Sequence, residues 1–228
     1  MLIILKSVLL SMSVLIFLAC SSSSSEENSN TIDLDEYKTS ELNSTQKYAL
    51  AYMWNEEKLA HDLYLDLYDL FFVETFSNIA NRSESKHIML VEDLIQKYDI
   101  NITNLQDYTI KYSQEELRRL ERGVFAVDEI QDLYNTLYTI GDDSLVDALK
   151  VGCMVEVTDV DDLDKYIINA AEAKDLVDTF KILRLGSYNH YWAFDNALKK
   201  QGISQGCCSI GVIEQTNYCK TSADYPVN

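Results

Sequence analysis

Helix breakers and positive charges are both scarce in this sequence. One proline and seven glycines in 228 residues leave long stretches in which nothing interrupts a helical hydrogen-bond ladder, while Leu, Ala, Glu, Asp and Tyr dominate, so the class is all-α. Lys and Arg number 19 against 37 Asp and Glu, for a formal charge of -18. Phosphate binding needs a basic face and none is visible, which excludes nucleic acid as a partner. The acidity would attract cations, iron included, although a solvated surface that keeps the protein soluble accounts for most of it. Gly-rich phosphate loops, a serine-nucleophile elbow and zinc-protease motifs are absent as well.

The N-terminus MLIILKSVLLSMSVLIFLAC carries one Lys and an apolar run too short to span a bilayer comfortably, followed by five serines. Residues 1–19 read as a signal peptide. The ending Leu18-Ala19-Cys20 resembles a bacterial lipoprotein box, which implies lipidation of Cys20 and a place in the cell envelope, with the membrane contacted through the lipid anchor only. Residues 20–41 form a Ser/acidic tether, whose Ser21–Asn30 segment has too little apolar surface to fold. Its Ser25-Glu26-Glu27 resembles the acidic export tags of surface-exposed lipoproteins. A domain over 42–202 and a Cys-containing tail over 203–228 complete the organisation.

Four strongly periodic segments predict long helices. The first, about Ser44 to Phe72 with Ser44 as its cap, steps Leu50, Trp54, Glu57, Ala60/His61, Tyr64, Tyr68, Phe71 on its inward stripe. The second, about Thr75 to Tyr98, steps Phe76, Ile79/Ala80, Ser83/Glu84, His87, Leu90/Val91, Leu94. The third begins near Ser144 and steps Leu149, Gly152, Glu156, Asp159, Leu163. The fourth, about Glu172 to Lys200, steps Phe180, Leu183, Ser187, His190, Phe194, with Gly202 closing it. A long crossover with short helical pieces at Gln114–Glu121 and Glu129–Tyr138 joins the two pairs, the arrangement of a ferritin-like bundle.

All three histidines, at 61, 87 and 190, lie on these helices, and Glu57, Glu84, Glu156 and Asp159 interrupt apolar stripes. A lone stripe Glu is usually at the edge of the buried face, and a lone stripe His is usually a hydrogen-bonded core residue. Six polar groups at one level are harder to explain that way. In an antiparallel hairpin, residues face each other when their midpoint falls in the turn; Glu57 with His87, and Asp159 with His190, satisfy this. Glu84 and His87 are i and i+3 and can aim at one point. Ionised carboxylates meeting in an apolar core would repel one another and lose hydration unless they took up protons or a counter-ion. A pair of divalent cations removes both penalties, and carboxylate oxygens with imidazole nitrogens suit iron or manganese.

The stretches Asn55-Glu-Glu-Lys-Leu-Ala-His-Asp-Leu-Tyr64, Phe76-Ser-Asn-Ile-Ala-Asn-Arg-Ser-Glu-Ser-Lys-His87, Ala148–Leu163 and Leu185-Gly-Ser-Tyr-Asn-His190 together resemble the prokaryotic ferritin-like family catalogued as domain of unknown function 2202. More distantly, Glu57 with Ala60 and Tyr64, and Glu84-x-x-His87, are similar to rubrerythrin motifs. The resemblance implies a four-helix bundle with one long crossover and a dinuclear iron site, with Glu57, Glu84, His87, Glu156 and His190 as metal ligands. A standard di-iron carboxylate protein has Glu-x-x-His in the last helix, where this chain has Ser187-x-x-His190. Asp159 is inferred to replace the missing carboxylate, and His61, Tyr64 and Ser187 are candidates for positions around the ligands.

The leading expectation is therefore a lipid-anchored protein holding two iron ions, manganese being possible, and reacting with dioxygen or hydrogen peroxide as ferroxidase, peroxidase or oxidase. No Cys-x-x-Cys pairs supply a rubredoxin-type module, so an external electron donor is required. The alternative is a non-catalytic cell-surface binding or metal-sequestering protein. Cys153 reads as a small buried helix residue, and one disulfide joining Cys219 to Cys207 or Cys208 is expected beyond the membrane.

Overall fold

The computed structural model describes residues 32–227 apart from 104, 106–113 and 118. The signal segment, Cys20 and the Ser-rich part of the tether lie outside the described residues. Among those described, no helix is long and apolar enough to cross a membrane.

Helix α1 spans Ser44–Phe71. Its cap is Asn43 rather than Ser44: the Asn43 side chain accepts from the Gln46 amide, and the Gln46 side chain accepts from the Asn43 amide. This reciprocal pair satisfies two end donors at once, which a serine already inside the first turn cannot do. Phe72, at φ 54°, ends the helix in a left-handed turn. The expected second helix is divided into α2 (Glu74–Ile79), a π-helical turn at Ala80–Glu84 and α3 (Ser85–Tyr98). The Ser85 amide reaches back to the Ala80 carbonyl, five residues earlier, and its hydroxyl donates to the same oxygen at 3.0 Å. The wide turn thus has its own side-chain support.

The crossover contains α4 (Gln114–Leu117) and α5 (Asp128–Gly141). α4 is shorter than the sequence suggests, because Arg119 and Leu120 continue in turn-like bonds to Glu116 and Leu117. Helix α6 (Leu145–Asn169) opens on Ser144, whose hydroxyl accepts from the Asp147 amide. Helix α7 (Lys174–Lys200) is closed by Gly202 at φ +87°, a backbone position that favours glycine.

Packing joins these segments in a ring: α1 on α3, α3 on α7, α7 on α6 and α6 on α1, with α5 laid over α1 and α6. Two apolar clusters fill the ring at its two ends. One gathers Leu63, Tyr64, Phe76, Leu149, Tyr191 and Phe194; the other gathers Leu50, Trp54, Leu94, Leu163, Phe180 and Leu183. Close contact within the first requires Gly152, since a Cβ there would lie 2.6 Å from the Phe194 ring.

The tail is ordered as a strap, with a 3-10 turn at Gly206–Ile210 and a two-stranded ribbon, β1 (Val212–Ile213) with β2 (Thr216–Asn217). The bridge Cys208–Cys219 closes this ribbon, one of the two pairings open from sequence. Cys153, read as a small buried helix residue, is fully buried and is also bridged to Cys207. Packing places α6 beside the tail, and nothing in a sequence spacing of 54 residues announces that proximity.

Candidate metal centre

Between the two apolar clusters lies a layer of polar side chains contributed by α1, the π turn, α3, α6 and α7. Glu57, Glu84 and Glu156 are each 2 % exposed, His87 is 5 %, and Asp159 and His190 are 6 %. His87 Nδ1 sits 2.9 Å from Glu84 Oε2 and 3.1 Å from Glu57 Oε2. His190 Nδ1 sits 3.0 Å from Glu84 Oε1 and 3.3 Å from Glu156 Oε2. The Glu84 carboxylate therefore faces two imidazoles, one with each oxygen. Two groups result, Glu57–Glu84–His87 and Glu84–Glu156–His190, in each of which the candidate ligand atoms lie within 4.8 Å of one another.

Local architecture explains why these atoms converge. Glu57 and His87 centre on Phe72, the left-handed residue ending α1, while Glu156 with His190 and Asp159 with Ser187 both centre on Ala173, which caps α7. His190 thus pairs with Glu156 rather than with Asp159, the partner suggested by register alone. Asp159 instead accepts from the Ser187 hydroxyl, which also lies 3.0 Å from the Leu183 carbonyl. The second nitrogen of His190 lies 2.7 Å from Ser83 Oγ in the π turn. His87 packs its Nε2 against Gly186, where a Cβ would come within 2.4 Å. Tyr64, fully buried, donates to Glu156 Oε1.

The electrostatics are those of too many acids for the cations present. Burial raises Glu156, raises Asp159 well above the carboxylate range, and pushes Glu57 up to about 7 against the lowering effect of His87. Burial would raise Glu84 too, but His190 and His87 together hold it below its ordinary value. Burial disfavours imidazolium, yet Glu57 and Glu84 raise His87, and Glu84 with Glu156 raises His190 to about 10. Without other cations the layer stores protons. Glu57 Oε1 and Asp159 Oδ1 are buried with no hydrogen-bond partner among the described residues, the condition a divalent ion relieves. Carboxylate oxygens with imidazole Nδ1 atoms are a donor set that could hold a metal ion.

The sequence profile of the family described as an uncharacterized protein domain, DUF2202, matches residues 46–217, a span that contains every residue of this layer. The chain belongs to the DUF2202 family. It is 36 % identical over 161 residues to the uncharacterized protein MJ0754 of Methanocaldococcus jannaschii, covering 71 % of this chain and 79 % of that protein. The crystal structure of the hypothetical protein MJ0754 superimposes with a TM-score of 0.62, covering 72 % of this chain and 86 % of the other. In this DUF2202 chain, His61 belongs to neither three-residue group. Its side chain is 22 % exposed and its Nδ1 pairs with Asp62 Oδ1 at 2.8 Å, in a separate group with Lys58 and the Gly123 amide.

Three contributors escaped sequence reasoning. Glu56 is buried with Oε2 unpartnered among the described residues; its position four residues after Tyr52, on a second stripe of α1, was the available signal. Ser83 stood on the inward stripe but was overshadowed by Glu84. Gly186 gives no signal, because a missing Cβ matters only once a neighbouring helix supplies the ring that needs the room.

Proposed function

We propose that this protein is a ferritin-like four-helix bundle whose polar layer binds two metal ions, iron by preference and manganese as second choice, and that it reduces dioxygen or hydrogen peroxide with them. The observation carrying this reading is Glu84, whose two oxygens serve two separate carboxylate–imidazole groups. Glu57 and His87 would hold one ion, Glu156 and His190 the other, and Glu84 would bridge. Bound iron or manganese supplies the one-electron chemistry that the side chains lack.

The residues around the ligands have definite tasks. Ser83 fixes the tautomer and ring plane of His190 through the distal nitrogen, and Tyr64 orients Glu156. Asp159 and Ser187 together occupy the position where a last-helix carboxylate would stand, leaving Asp159 Oδ1 able to act as ligand or proton acceptor. The apolar clusters above and below keep water from the layer, which strengthens each charge interaction. Reducing equivalents come from an external donor. The N-terminal segment would place the domain in the cell envelope on a lipid at Cys20.

A second reading is a metal-sequestering or binding protein without turnover. The observation favouring it is Ser187, whose hydroxyl engages Asp159 and leaves that carboxylate outside both three-residue groups. Anaerobic titration with ferrous iron, followed by oxygen or peroxide, separates the two. About two irons per chain with rapid oxidation is the expected outcome. One iron or none, with slow oxidation, would transfer support to sequestration.

A further inference from the structure

An apolar space lies beside the polar layer, at the same level of the bundle. A cavity of about 120 Å³ sits between α1, α5 and α6, walled by Leu59, Leu133, Leu137, Met154 and Val155 and completed from the tail by Tyr218. Two of its three helices also build the layer. On α1, Leu59 follows Glu57 by half a turn; on α6, Val155 and Thr158 directly precede the layer acids Glu156 and Asp159. Cavity and layer therefore flank the same turns of α1 and α6, and α5 covers the cavity from outside. The metal chemistry proposed above makes no use of this space.

What the walls lack decides what they can hold. Water inside a protein needs about two to four polar partners. Here the Thr158 hydroxyl already donates to the Met154 carbonyl at 3.0 Å, and Glu56, which also borders the space, has its Oε2 buried out of reach of an occupant. Hydrogen peroxide, whose O–H groups need acceptors, would lose its hydration against such walls without compensation. A dry apolar cavity of about 150 Å³ takes up xenon or benzene, so this somewhat smaller one suits a molecule of a few atoms with no hydrogen-bonding demand. Of the two oxidants open to the polar layer, dioxygen alone meets that description.

We propose that this cavity binds dioxygen and holds it beside the polar layer, which makes dioxygen rather than peroxide the oxidant used there. Binding stands on the size, walls and place of the cavity; the use of the bound gas rests on the metal reading above.

Dioxygen is paramagnetic and serves as its own probe. The experiment compares methyl NMR relaxation of the protein without added metal, under nitrogen and under dioxygen pressure. Leu59, Leu137 and Val155 should broaden under dioxygen more than Leu94 and Leu176, which are buried in the other apolar cluster, and xenon should remove the excess by competition. Leu137→Trp, or Val155→Phe should that chain fail to fold, fills the space and abolishes the excess. Broadening no greater than at Leu94 and Leu176, or an excess that survives in a folded, filled variant, would overturn the site. With ferrous iron bound, the filled variant should oxidise several-fold more slowly with dioxygen and at an unchanged rate with hydrogen peroxide. An unchanged rate with dioxygen, or equal slowing with both, would overturn the supply role. Iron content of the same samples reports separately on the layer: a chain that binds no iron refutes the metal reading, while the methyl signals still judge the cavity.

Discussion

Glu84 and Gly186 illustrate two ways in which a single residue shapes this centre. Glu84 supplies chemistry: neutral glutamine in its place keeps the shape but cannot offset two positive neighbours, so Glu84→Gln should lower bound metal by at least about tenfold, and His87→Ala likewise, while Lys38→Ala, at an exposed position, leaves it unchanged. Metal analysis after dialysis decides this; full loading of both variants would sink the bridging role. Gly186 supplies only space. Its replacement by Ala puts a methyl where His87 Nε2 lies, so the ring must move and metal binding should weaken, while the helical circular-dichroism signal persists. Titration adds a further expectation for metal-free protein. Glu57 rises from an ordinary 4.5 to about 7, and His190 from 6.5 to about 10, so the folded state binds more protons than the unfolded chain across that range. Stability therefore falls as pH rises from about 4.5 to about 10. Melting temperatures measured across this window should decline, and loading with metal should flatten the decline because the ions replace the protons. A metal-free protein whose melting temperature climbs with pH would contradict the proton-storing layer.

At the scale of elements, the π turn is the feature with most consequence. The periodicity of residues 75–98 shows a helix with Glu84 and His87 on its inward side, and that much was legible. The extra residue within Ala80–Glu84 was not, because a π turn differs from an α turn by one hydrogen bond, here from Ser85 to Ala80, and no side-chain pattern records it. Such turns cost local hydrogen-bond quality and are frequent at functional sites. Deleting Asn81, an exposed residue of the turn, should let the segment close as an ordinary α-helix. Helix content and melting temperature should hold or rise, whereas Ser83 and Glu84 would shift and metal binding should drop. Retained metal in the deletion variant would show that the turn is incidental. Helix ends were read to within a few residues, since caps such as Ser144 and Gly202 are local chemistry, although at α1 the cap proved to be Asn43, one residue before the expected Ser44. Of the crossover pieces, α5 (Asp128–Gly141) was read to within three residues, whereas α4 ends at Leu117, four residues before the expected Glu121.

For the whole molecule, the disulfides tie the tail to the helical ring. Closing the loop between Cys153 and Cys207, 54 residues apart, stabilises by about 4 kcal/mol in the chain-entropy account, and the shorter Cys208–Cys219 loop by about 3 kcal/mol. The double substitution Cys153→Ala/Cys207→Ala should therefore lower stability by a few kcal/mol in denaturant unfolding, and more than loss of the second bridge; equal stability would mean that packing alone holds the strap. Sequence by itself determined the helical class, the inward stripes and the convergence of Glu57, Glu84, His87, Glu156, Asp159 and His190 at one level, because helical period and hairpin length are arithmetic on residue number. Which acid meets which imidazole, the service of Glu84 to both, the pairing of His61 with Asp62 and the meeting of Cys153 with Cys207 were decided only by the tertiary structure. Those outcomes depend on the rotation and separation of packed helices, and a shift of an ångström or of one hydrogen bond changes the partner without changing the pattern.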